Sequence, residues 1–230
     1  MPQTRIIGGG NIQPGAELTV EPLYGAMRAV ARPLDYTWGN RPLGHFAFAG
    51  ETGTTAGIAA KGAMFYLRNS DPTALIVVEK IRCSAIIAAA ITTGVVVDIG
   101  AWVARNSTAA GTGGTLPTLG GNNQRMRISM GTSLVTDLRI ATTAALTLPT
   151  GAVMDTNPFA AAITQLSFQT TTTAIAGQPI TDLYDNIAHG AHPVILSSGE
   201  VLVLAPLTAG PVTGGIEWSF EVHWAEVALY

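Results

Sequence analysis

The first candidates for chemistry in this sequence are two histidines three positions apart, His189 and His192. On a helix, this spacing would let both imidazoles bind one zinc ion. Gly190 and Pro193 favour a loop instead, and no third or fourth ligand follows at a distance typical of a zinc site. We therefore expect a structural or surface role for the pair, and the sequence predicts no metal and no other cofactor.

Carboxylates are the second candidates, because two of them can hydrolyse a glycosidic bond when the fold brings them together. No spacing along the chain pairs any two of the candidates, which are Asp98, Asp137, Glu200, Glu217 and Glu221. The Gly-x-Ser-x-Gly motif of serine hydrolases does not occur. The three glycines at 8–10 lack the Lys-Ser/Thr pair of a phosphate-binding loop. The sequence therefore predicts a protein that is not an enzyme.

The single cysteine, Cys83, excludes an internal disulfide framework. It lies in a strand pattern, and no His or Asn motif accompanies it that would activate the thiol. We expect it to be buried and unreactive.

The chain has 230 residues, of which only 12% are charged and 47% are apolar. The charged share is about half of the roughly 25% that is usual for soluble proteins. Surfaces with so few charges are usually covered by a partner, so the composition predicts a soluble protein with extensive interfaces.

Membrane and nucleic-acid functions are not expected. The longest apolar run, residues 83–97, is interrupted at 92–94 and is shorter than the roughly 20 residues of a spanning helix. The N-terminus lacks the basic and apolar regions of a secretory signal. The net charge is −3, and the closest basic pairs are Lys80 with Arg82 and Arg125 with Arg127. Such scattered bases do not predict direct binding of nucleic acid.

The elements that must position these residues are strands. Short runs of alternating or apolar residues are separated by turn sequences, and no segment sustains a helical period, which predicts an all-β sandwich or barrel. The predicted strands are residues 43–49, 62–68, 73–87, 94–105, 125–130, 133–142, 162–170, 193–196, 201–205 and 216–229.

Two of these strands have the clearest alternation. In the last strand the apolar residues occupy the even positions, so Trp218, Phe220 and Trp224 are expected to anchor the core. The other strand, 73–87, is predicted to place Val77 on the face of Ile81, and Val78 on the polar face. Glu79 is out of phase with both rows.

Residues 1–42 are rich in Gly and Pro and are predicted to form an extended arm that precedes a domain at 43–230. The apolar arm residues Ile6, Ile7, Leu18 and Val20 are the candidate partner contacts. Two further low-complexity segments, 107–123 and 170–177, are predicted as long loops, which in compact domains tend to be functional or disordered.

The segments PVILSSGEVLVL (193–204) and IEWSFEVHWAE (216–226) resemble the closing strands of jelly-roll virion proteins from tailed bacteriophages. In those proteins a turn ending in Gly-Glu starts an apolar strand, and the final strand finishes near Trp-x-Glu. The resemblance covers about a sixth of the chain. It implies an antiparallel, jelly-roll-like β-sandwich that acts as a capsid decoration or cement protein. Such proteins commonly sit as homotrimers on the outer surface of a lattice of major capsid protein.

Two other functions remain open from the sequence. A receptor- or carbohydrate-binding module of a phage fibre would need exposed aromatic residues, for which Trp38 and Tyr184 are the candidates. A jelly-roll enzyme would need clustered histidines or carboxylates. In addition, Glu217, Glu221 and His223 on the polar face of the last strand are predicted to form a weakly pH-sensitive patch.

Overall fold

Two antiparallel sheets pack face to face in the computed structural model, which describes residues 44–91, 96–119, 131–164, 180–186 and 193–228. The prediction of an all-β sandwich is confirmed. The strands are β1 (His45–Glu51), β2 (Phe65–Arg68), β3 (Ala74–Ala89), β4 (Val97–Arg105), β5 (Asp137–Ile140), β6 (Val153–Met154), β7 (Ala160–Thr164), β8 (Thr181–Asp185), β9 (Val194–Leu196), β10 (Val201–Ala205) and β11 (Gly215–Ala228).

The strands pair in a nested order. The first sheet runs β1-β11-β3-β8, with β9 also paired to β3, and the second runs β5-β2-β10-β4-β6, with β7 also paired to β4. Thus β1 pairs with β11, β2 with β10, β3 with β8 and β9, and β4 with β6 and β7. A long hairpin rolled over on itself in this way is the jelly-roll arrangement.

Aromatic rings fill the space between the two sheets. Phe65 of the second sheet stacks on Phe48 at a centroid distance of 5.9 Å and meets Phe220 of the first sheet at 6.1 Å. All three rings are buried. Because each ring contributes a large apolar area, this cluster is a main source of the attraction between the sheets.

The alternation of the last strand determines its two faces. Its inward row is buried throughout, from Ile216 to Trp224, whereas Glu217, Ser219, Glu221 and His223 are half buried on the outer face. The sequence pattern therefore assigned the inner and outer positions of this strand correctly.

Strand β3 departs from the predicted alternation. Val78 is buried and Val77 is only half buried, so the predicted faces of these two valines were wrong. The reason is a β-bulge at Glu79: His223 pairs with Lys80, but the next residue of β11, Trp224, pairs with Val78. The extra residue shifts the phase of the strand by one position and exchanges its faces.

The second sheet is buried on both faces along β2, β10 and most of β4, whereas its edge strands β6 and β7 have exposed residues, and its central strand β10 has none. Its outer face is covered by two loops that are joined by the isolated bridges Ala109–Thr150 and Thr112–Thr147. Beneath them the Tyr66 hydroxyl donates to Asp137 at 2.8 Å. The described part of the first low-complexity loop is therefore an ordered cover of the core.

Gly114 shows why this covering loop contains so much glycine. Its φ of +55° lies in the left-handed region, and a Cβ at this position would lie 2.1 Å from the carbonyl oxygen of Ile140. Only glycine fits such a position without displacing the backbone.

The remaining sequence predictions have mixed outcomes. Strands β6 and β8 were not predicted, and the other nine overlap predicted strands. The predicted strand 125–130, the loop 170–177 and the arm 1–42 with Ile6, Ile7, Leu18 and Val20 lie outside the described residues.

Candidate interaction surfaces

The three aromatic residues singled out in the last strand lie in the core and not on a surface. Trp218 and Phe220 stack nearly parallel at a centroid distance of 6.1 Å, and Trp224 stacks on Phe46 at 5.8 Å. Trp218 is 3% exposed and the other two are fully buried. Their role is to hold the sandwich together beneath the surfaces that can meet a partner.

Sequence reasoning missed Glu226, which is completely buried at the end of β11. Its carboxylate accepts hydrogen bonds from the Ser133 hydroxyl, the Leu134 amide at 2.9 Å and the Trp224 indole nitrogen at 3.2 Å. Its own backbone N–H donates to the carbonyl of Gly44. We call this set of contacts the Glu226 clamp. It joins the segment at 133–135 to both the first and the last strand.

A signal for the clamp was present in the sequence. Glu226 is in phase with the inward row of β11, two residues after Trp224, and a glutamate at such a position needs buried donors. Burial raises the pKa of the Glu226 carboxyl, and the hydrogen bonds from Ser133, Leu134 and Trp224 oppose that rise.

The outer face of the first sheet carries a network of charges. Lys80 bonds Asp185 at 2.8 Å, and Arg82 bonds Asp182 at 2.8 Å and approaches Glu221 at 3.7 Å. These contacts cross from β8 through β3 to β11, so the network links three neighbouring strands. Because the side chains of Arg82 and Asp182 are 37% and 47% exposed, that pair contributes little to stability.

The predicted pH-sensitive patch forms only in part. His223 and Glu221 are in contact at 2.6 Å, and the imidazole is the main reason that the pKa of the Glu221 carboxyl is lowered. Glu217 instead accepts a hydrogen bond from the Thr54 hydroxyl. A second histidine joins the same face: His45 contacts Glu79 at 3.0 Å, and this bond raises the pKa of His45.

An apolar edge lies along one side of the sandwich. Four of the seven large, exposed apolar residues among those described lie on or beside the edge strands β6, β7, β8 and β9. They are Val153 (65% exposed), Ile163 (75%), Ile180 (65%) and Ile195 (47%). Strands β7 and β8 are in contact, so the edges of both sheets meet on this side. We call this group of four residues the apolar edge.

Three of the five candidate catalytic carboxylates make contacts that stabilise the fold. Asp98, in the wall of a shallow apolar pocket, accepts bonds from the Leu207 and Thr208 amides and from the Thr208 hydroxyl. Asp137 binds Tyr66, and Glu200 pairs with Arg105. Within the described ranges, no three His, Cys, Asp or Glu side chains are grouped to hold a metal ion. His189 and His192 lie outside those ranges.

Cys83 is 1% exposed between the sheets, and burial raises the pKa of its thiol to about 11. We expect the native protein to resist a thiol-specific reagent at neutral pH and to react fully once it is unfolded in denaturant, because the thiolate is the reactive form. Counting labelled thiols by mass spectrometry, with and without denaturant, tests this. Fast labelling of the native protein would contradict it.

Tyr184 does not present an exposed ring. It packs edge-on against Phe159 at 5.4 Å, and its hydroxyl accepts a hydrogen bond from the Val194 amide at 3.0 Å. The second aromatic candidate for carbohydrate binding, Trp38, lies outside the described residues.

Comparison of the chain with protein-family models, with curated proteins and with solved structures found no match. Among the described residues, no helix has the length and apolar character needed to cross a membrane.

Proposed function

We propose that the protein is a virion structural protein of a tailed bacteriophage, a capsid decoration or cement protein that binds the lattice of major capsid protein as an oligomer. Its site of action is the outer surface of the capsid, after synthesis in the host cytoplasm. The observation that carries the proposal is the apolar edge on a jelly-roll sandwich, in a chain of which only 12% is charged.

The chemistry of the apolar edge supports a function in assembly. The cores of protein interfaces are depleted in charge and enriched in apolar side chains. The four exposed side chains of the apolar edge are apolar, and three of them lie on strands of the sandwich, although the charged residues Asp182 and Asp185 lie beside them on β8. A cement protein acts through buried area between subunits, so it needs such surfaces and does not need a cleft with reactive groups.

The structural uses of the carboxylates also support a protein that is not an enzyme. Asp98 lines a pocket but accepts hydrogen bonds from three donors of the fold, and Asp137 is enclosed beneath the covering loop, so both carboxylates are engaged in structural contacts. The fibre-tip alternative, a module that binds a receptor or carbohydrate, loses support from the packing of Tyr184. Binding of the protein to immobilised polysaccharide would favour that alternative.

The test is cosedimentation with heads assembled from the major capsid protein of the same phage. We expect saturable binding at a fixed ratio of decoration protein to capsid protein, and heads that resist heating better once coated. A protein that stays in the supernatant at saturating concentration would contradict the proposal.

The arm is tested in the same assay. A variant in which Ile6, Ile7, Leu18 and Val20 are changed to serine is expected to bind the heads at least about tenfold more weakly, a loss of about 1.4 kcal/mol. The matched control is Val212→Ser, which removes an apolar side chain that is 86% exposed on the domain itself. Equal binding by both variants would exclude the arm as a partner contact.

A further inference from the structure

Among the described edge strands of four or more residues, β7 is the one without a charged residue to block pairing with another strand. It pairs with β4 on one side, and none of the described residues pairs with it on the other. Its sequence, AAAIT, has no charged residue, whereas the other edge strands of four or more residues each carry charges. An uncovered, uncharged edge strand is a template for another strand, and proteins usually block it with charges or proline.

The side chains of β7 are complementary to β7 itself. Its outer face carries two exposed residues, Ala161 and Ile163, one small and one large. If two copies of the strand run antiparallel with Ala162 opposite Ala162, each Ile163 lies opposite an Ala161. Directly opposed side chains in an antiparallel pair are within contact distance, so each isoleucine covers the space above an alanine of the other copy.

We propose that β7 pairs with β7 of a second copy of this chain about a two-fold axis at Ala162, which joins the two second sheets into one continuous sheet. The occupant of the edge is a second copy because one strand supplies both halves of the contact, as an isologous interface requires. The pairing satisfies backbone groups along five residues and covers Ile163 on both sides of the axis. Val153 lies on the same edge of β4, but its partner Arg105 is an odd number of residues from Asp98, the partner of Ile163, so the two side chains point to opposite faces of the sheet.

The pairing adds a contact between copies to the proposed function. Only the statement that this contact forms on a capsid rests on that function. A two-fold contact predicts an even number of copies: a dimer, or a hexamer if a three-fold contact is also present. The β7 contact would then link neighbouring oligomers, whereas the contact with the capsid lattice uses other surfaces. Head binding and β7 pairing can therefore fail independently.

The direct test is a cysteine at the axis. In Ala162→Cys the new thiol lies opposite the same thiol of the second copy across the strand pair, at a separation that a disulfide can span. Mild oxidation is expected to convert most of this variant to a covalent dimer. The control is Ala49→Cys, an exposed position on β1 at the edge of the first sheet, which is expected to stay monomeric in denaturing gels. Wild-type Cys83 is buried and adds no background.

Two outcomes would overturn the pairing. One is equal crosslinking of the two cysteine variants, or none in either. The other is a wild-type mass, measured by light scattering at micromolar concentration, that corresponds to a monomer or a lone trimer. We expect an even multiple of the chain mass and a mass reduced by half in Ile163→Lys, with an unchanged circular dichroism spectrum because the side chain is 75% exposed. Cosedimentation with heads tests the proposed function separately.

Discussion

Replacing Trp218 by alanine is expected to lower the free energy of unfolding by about 3–5 kcal/mol. The indole is 3% exposed and stacks on Phe220 in the middle of β11, so its removal loses a large buried area and leaves a cavity. The neighbouring strands β1 and β3 pair with β11 along most of its length, and this framework limits how far the site can collapse to fill the cavity.

Chemical denaturation followed by far-ultraviolet circular dichroism measures this loss, since the signal does not depend on the tryptophan that is removed. Val212→Ala is the matched control, because that side chain is 86% exposed and its truncation is expected to change stability by less than about 0.5 kcal/mol. A Trp218→Ala variant that unfolds at the wild-type midpoint would show that the indole does not anchor the core.

Replacing Glu226 by alanine is expected to cost about 3 kcal/mol or more, although glutamate is a polar residue in an apolar core. The truncation leaves the buried Trp224 indole N–H and the partly buried Leu134 amide without this acceptor, and an unpaired buried donor costs about 1–3 kcal/mol. The same denaturation experiment measures it. Glu221→Ala is the control, because that carboxylate is half buried on the outer face and its loss leaves no fully buried donor without an acceptor. Equal losses in the two variants would contradict the clamp.

The Glu226 clamp also has a predicted pH dependence. Burial raises the pKa of this carboxyl in the folded state above its ordinary value of 4.5, so the folded protein holds the proton more tightly than the unfolded chain does. The stability from this group is therefore fully present below pH 4.5 and is lost as the pH rises through the raised pKa. The stability of the wild type relative to Glu226→Gln is expected to fall as the pH rises from 4.5 towards neutrality. A difference that stays constant over this range would exclude a raised pKa.

The sequence was sufficient for the fold class, because period-two alternation and turn residues are local signals. Strand β11 is the clearest case, since its inner and outer rows follow directly from the pattern. Strand β3 shows the limit: the bulge at Glu79 is set by the register against β11, and no local signal tells on which side of Glu79 the alternation changes phase. Strand β6 has only two residues, which is too short for any periodicity to be detected.

The surfaces were harder to predict than the core. The exposure of Ile163 depends on β7 lying at the end of a sheet, and the order of strands in a sheet is a long-range property. The same holds for the charge network, in which Lys80 and Asp185 are neighbours in space although 105 residues separate them. By contrast, the burial of Glu226 follows from the alternation of its own strand and could have been anticipated from the sequence.

The nested strand order has a consequence for the time course of folding. The first described strand, β1, pairs with the last one, β11, as His45 opposite Ala225 shows. The other strand pairs are nested between these two along the chain. Such a topology has a high contact order, because most of its pairings join residues that are distant along the chain, and proteins of this kind fold slowly. During translation, β1 must wait for its partner among the described strands until the ribosome has made β11. Among the described strands, β1 therefore waits longest for its partner, and its apolar side is the one most in need of protection from aggregation at that stage.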